Sequence, residues 1–171
     1  MSAAIMTNNI RVAAMAMGFG ILAGVGTAYI LFYNGLIVGA LFAQTALVAG
    51  GRNIMYFWAL ILPHGVLELI AVFLAGSVGL LIGRGLLMPG DMTRKDALVK
   101  NARAAIALVP GLVILLIIAG LIEGFFTPMD VPPYIKLGFA GLTLVGFVLY
   151  CMRGVRAARR AGVEAEGGDI V

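Results

Sequence analysis

His64 and Glu68 stand four positions apart in the otherwise apolar stretch LPHGVLELIAVFLAGSVGLLIG, and His64 is the one histidine of the chain. A spacing of four puts both side chains on one helix face. Glu123 stands in a second apolar stretch, AGLIEGFFTP. One imidazole and two carboxylates could ligate zinc or a similar ion and leave a position open for water, as a metal-dependent hydrolase requires. The same carboxylates could carry protons or cations in a transporter. They could equally form a buried hydrogen-bond cluster that locks helix ends together. The spacing is not that of an HExxH zinc helix, so the structural use weighs most and no metal or other cofactor is assigned. Ionisable groups inside a membrane segment cost roughly 2.5–3.5 kcal/mol on insertion scales, so some role is expected of them.

The segments that must position these groups read as membrane helices. The chain has 171 residues, 62% hydrophobic and 12% charged, with a mean hydropathy of +1.07. A soluble domain is nearer half apolar and a quarter charged. The expected class is therefore all-α: a polytopic transmembrane helical bundle with about four full spans plus a re-entrant or short helical hairpin. It occupies residues 1–152, and 153–171 form a basic-then-acidic cytoplasmic tail. Cys151 stands alone, which excludes an intrachain disulfide or a cysteine zinc site. The net charge of +4 flanks apolar runs. There it sets topology and touches anionic lipid, so membrane lipids are expected partners and nucleic acid is not.

Residues 10–33, 64–88 and 102–126 are long enough to span a bilayer, which takes roughly 20 residues. Residues 134–152 are marginal in length. The short runs 36–48 and 54–62, separated by AGGRN, suggest a re-entrant hairpin, with two tilted full spans as the alternative. Pro63 reads as a break before the His64 helix, and Pro110 as a kink. The opening run is too long for a signal-peptide core, and no clear processing site follows it, so it is expected to remain as a helix. Lys and Arg cluster at Arg84, Arg94, Lys95, Lys100 and Arg103 and again at Arg153, Arg156, Arg159 and Arg160. Both clusters should be cytoplasmic, and Arg11 places the N-terminus inside as well. The expected location is the cell inner membrane, multi-pass, with both termini cytoplasmic and Lys136 as a minor violation.

That topology gathers His64, Glu68, Glu123 and Asn34 near the outer leaflet. Below His64 and Glu68 the same face continues through Ala71, Ala75, Gly79 and Gly83, matched in the first run by Ala16, Gly20, Gly24 and Ala28. Small residues every fourth position let helix backbones approach closely, so the two stripes are expected to pack together.

Other features have plain readings. Asn8 or Asn9 can cap the first helix, and Arg11 snorkels to phosphates. Tyr56, Phe57 and Trp58 are interfacial or packing aromatics. GFGILAG at residues 18–24 matches a dinucleotide fingerprint loosely, without the strand that motif needs. Arg153, Arg156, Arg159 and Arg160 are expected to face lipid, at about 1 kcal/mol each. The end with Glu164, Glu166 and Asp169 is expected to fray.

TNNIRVA, YNGLIVGA, LPHGVLELIAVFLAG and AGLIEGFFTP follow one another in this order. Together, over roughly residues 6–140, they resemble the membrane core of the stage II sporulation protein M family. The positions carrying the resemblance are Asn8, Asn9, Arg11, Asn34, Gly35, Pro63, His64, Gly65, Glu68, Glu123, Gly124 and Pro128. It implies a multi-helix inner-membrane protein. The family's founder works in engulfment during sporulation beside peptidoglycan-degrading partners, as a membrane component rather than a hydrolase. Family members usually carry more chain ahead of the TNNIRVA position, so a truncated or minimal version is expected here. The combined expectation is a non-enzymatic scaffold or subunit of a membrane complex. It self-associates through small-residue seams and has membrane or cell-wall-remodelling proteins as partners. A small transporter or channel is second, and an intramembrane hydrolase third.

Overall fold

In hydrocarbon the backbone can satisfy its N–H and C=O groups only within the chain, so apolar runs of this length fold as helices. The structure, a computed structural model, describes residues 2–49, 51–160 and 162. Its helices are α1 (Ser2–Gly18), α2 (Val25–Ala49), α3 (Gly51–Leu87), α4 (Arg94–Ile106), α5 (Val109–Leu121) and α6 (Pro133–Arg160). A 3-10 turn, Phe19–Ile21, follows α1, and a π-helical turn, Ile122–Phe126, follows α5. The described residues contain no strand. Among the described residues, four segments are long and apolar enough to cross a membrane: Val25–Leu47, Ile54–Leu87, Arg94–Phe126 and Pro133–Ala157. The chain is an all-α membrane protein.

Helix α3 is the hub, and each of the other five helices packs on it. Half of its apolar window is buried, against 6% in α2 and 11% in α6, whose outer faces are left to the surroundings. The core is built of Ala13 and Ala16 from α1, Leu67, Ala71 and Ala75 from α3, and Leu112, Leu115, Leu116 and Ala119 from α5. Phe147 of α6 packs against it.

The first expected span, 10–33, is not one helix. The chain turns back after the 3-10 turn, where Ala23 (φ 53°) and Gly24 (φ 79°) are both left-handed. Hydrogen bonds from Gly24 N to Gly20 O (3.0 Å) and from Val25 N to Leu22 O (3.1 Å) close the reversal. α1 then runs parallel to α3, with Asn9 beside Glu68 and Gly20 against Gly79. α2 runs antiparallel to α3, with Thr27 against Gly79 and Phe42 near Trp58, ring centroids 5.5 Å apart. Near the start of α1, Met6 reaches Gly120, whereas Phe147 takes α6 past the core towards the end of α3. The start of α1 and the end of α6 thus lie at opposite ends of the bundle, which corrects the expectation of both on one side.

The re-entrant hairpin is also replaced, by parts of two longer helices rather than by two tilted full spans of their own. Runs 36–48 and 54–62 are the second half of α2 and the first part of α3. Of AGGRN, Gly50 lies outside the described residues, as do the acidic positions Glu164, Glu166 and Asp169. Pro63 sits buried inside α3 rather than before it. It removes one backbone bond, to the Ala59 carbonyl, from a helix held by five neighbours. At Pro110 the expected kink is a junction: α4 ends at Ile106, and Pro110 falls in the first turn of α5. A missing N–H there has no helical partner to lose.

Candidate functional site: a buried polar cluster

The π-helical turn widens the end of α5 by one residue, so that Thr127 N donates to Ile122 O at 2.9 Å. This brings Thr127 against α3, where its hydroxyl lies 3.1 Å from His64 Nδ1. The hydroxyl donates in the tautomer protonated on Nε2 and accepts in the other. The Thr127 carbonyl accepts from Lys136 Nζ of α6 at 2.7 Å. One turn along α3 from His64, Glu68 accepts a side-chain hydrogen bond from Asn9 of α1. Glu123, in the π turn, lies close enough for its carboxylate to act electrostatically on that of Glu68.

All four ionisable members face protein. His64 is 5% exposed, Glu68 8%, Glu123 4% and Lys136 8%. One atom stands out: Glu123 Oε2 is buried and has no hydrogen-bond partner among the described residues. No three His, Cys, Asp or Glu side chains among the described residues converge so as to hold a metal ion. The histidine and two carboxylates sit in a hydrogen-bonded and electrostatic cluster.

Of the residues expected here, His64, Glu68 and Glu123 are brought together. Asn34 is half-buried on α2 and makes no hydrogen bond to them among the described residues. Asn9 joins the cluster, while Asn8 and Arg11 are exposed. Gly65 and Pro63 are buried beside His64; Gly35 and Gly124 face open space and Pro128 is exposed. Thr127 and Lys136 were missing from the expected cluster. Thr127 stands just before the proline of the run FFTP, and Lys136 is a lone cation at an end expected to lack them. That mismatch is the sequence signal of a lysine held from within.

The small-residue positions lie beneath the cluster. Ala16, Ala71 and Ala75 are fully buried. A Cβ on Gly20 would meet the Gly79 backbone, one on Gly79 the Ala16 carbonyl and Thr27, and one on Gly83 the Ala23–Gly24 backbone. Ala28 is exposed; its neighbour Thr27 occupies the seam instead and donates to the Ala16 carbonyl at 2.7 Å. Arg153, Arg156, Arg159 and Arg160 are exposed along the last turns of α6.

Helices of this length around a buried polar cluster define a polytopic membrane protein. The model of the stage II sporulation protein M family matches residues 1–128, and the chain belongs to that family. An uncharacterized protein of Methanocaldococcus jannaschii is 30% identical over 125 residues, covering 72% of this chain and 69% of that one. No solved structure matches the chain. The family match takes in α1 to α5 with Thr127, while Lys136 and the terminal arginines lie beyond it.

Proposed function

We propose that this protein is a non-enzymatic subunit of a membrane complex. In this reading its polar cluster fixes the helices, and its outward faces are offered to partners. The carrying observation is that a few bonds tie four elements at one level: Asn9 of α1 to Glu68 of α3, His64 of α3 to Thr127 after α5, and Lys136 of α6 to the same Thr127. A hydrogen bond to a charged group is worth about 1.5–3 kcal/mol, and orphaning a buried partner costs as much. Such a cluster holds a bundle in one arrangement. The sparsely buried α2 and α6 are the faces left for a second copy or a cell-wall-remodelling partner.

The orientation follows from charge. Nine of the twelve lysines and arginines lie in the last turn of α3, in α4 and at the end of α6. Placed in the cell inner membrane, that end is cytoplasmic, and the polar cluster and the start of α1 lie towards the outer leaflet. The test is cross-linking in native membranes followed by isolation. A second protein or a second copy, cross-linked in fixed ratio, is expected; isolation of this chain as an uncross-linked monomer with lipid alone overturns the reading.

Transport is the second reading, favoured by Glu123 Oε2. Buried and without a hydrogen-bond partner among the described residues, this oxygen is what a site for a passing proton or cation would present.

A further inference from the structure

At the opposite end of the bundle from the polar cluster, α6 carries an apolar groove that runs into arginines. The groove, about 440 Å³, is lined by Phe147, Val148, Cys151, Met152 and Val155, and ends at Arg156 and Arg159. An adjoining depression of about 530 Å³ is lined by Arg153, Arg156, Ala157 and Arg160, so Arg156 borders both. Residues 134–152 rise about 28 Å at 1.5 Å per residue, which matches a hydrocarbon core of about 30 Å. Arg153 therefore begins at headgroup depth, with the groove in the acyl region below it. Among the described residues no carboxylate pairs with Arg153, Arg156 or Arg160. The described acids at this end are Asp91 and Asp96, and Asp96 is already bonded by the Thr93 hydroxyl at 2.6 Å.

We propose that this end of α6 binds one anionic phospholipid. Its phosphate sits on Arg153, Arg156 and Arg160, and an acyl chain lies along the groove. Three guanidiniums within two helical turns match the charge and fork geometry of a phosphodiester. The shallow apolar stripe of α6 beside the arginines gives an acyl chain a surface that a soluble phosphate would not use, and one-to-one retention in detergent separates a seated lipid from diffuse attraction to a charged surface. This site stands apart from the polar cluster and takes only the arginine end of α6, so lipid retention and partner recovery are read by separate measurements.

Native mass spectrometry of the purified protein in detergent tests it. Phosphatidylglycerol should be retained one to one, and phosphatidylcholine with the same chains should not. Glycerol phosphate at the same concentration should neither be retained nor compete. Replacing Arg153, Arg156 and Arg160 together by Ala should weaken phosphatidylglycerol binding roughly a hundredfold. Val148→Trp, which fills the groove and leaves the arginines, should weaken it as well. Both variants change exposed side chains and should unfold at the wild-type temperature in lipid-free detergent. Equal retention of phosphatidylcholine, competition by glycerol phosphate, or unchanged binding in either variant overturns the proposal.

Discussion

Thr127 serves the bundle with two atoms: its hydroxyl meets His64 and its carbonyl holds Lys136. Thr127→Val keeps the shape and the carbonyl but removes the hydroxyl, leaving a buried imidazole nitrogen without its partner. The expected loss is about 1–3 kcal/mol, read as a lower Tm in detergent, while Lys136 stays in place. Glu123→Gln should behave differently. Its Oε2 has no hydrogen-bond partner among the described residues, and its electrostatic action on Glu68 is that of like charges, so Tm should fall by no more than about 2 °C. A large fall would mean that Glu123 holds the cluster together. The sequence exposes His64, Glu68 and Glu123 because charge inside an apolar run is conspicuous. It does not expose Thr127, whose place depends on a π turn with no distinct composition. It also suggests Asn34, which sits on a helix whose register with α3 depends on where the chain reverses.

Among the elements, the seam between α1, α2 and α3 is set by glycine. Gly79→Leu would drive a side chain into the Ala16 carbonyl and Thr27, both in packed neighbours. It should destabilise the protein by about 3 kcal/mol or more, as severe overpacking does. Gly35→Leu, at a glycine with open space around it, should change stability by no more than about 0.5 kcal/mol. Thermal unfolding of the pair in one detergent separates the seam from the open face. Gly24→Ala, at φ 79°, should cost about 1–2 kcal/mol through left-handed strain. The spans of α3, α4–α5 and α6 are legible as apolar runs bounded by charge. The reversal at residues 19–24 is not, because the residues on both sides are equally apolar and only the backbone angles mark it. The hairpin expectation failed for a related reason. Short apolar runs split by glycine and proline look like half-helices, yet α3 absorbs Pro63 because its burial against five helices outweighs one lost bond.

For the whole molecule, cysteines placed at Asp91 and at Asp130 should be labelled from opposite sides of the membrane, the first from the cytoplasm. Labelling of both from one side would remove the α4–α5 crossing. The family and the membrane class were readable from motif and composition; the relation of α1 to α3 was not, since it depends on contacts far apart in the chain. What the polar cluster does is tested most directly by flux. Protein reconstituted into liposomes with a proton or cation gradient, followed by a pH- or ion-sensitive dye, should dissipate that gradient no faster than protein-free liposomes. Dissipation by the wild type that is lost in Glu123→Gln would mean the cluster conducts, and the reading of it as a lock between helices would be wrong.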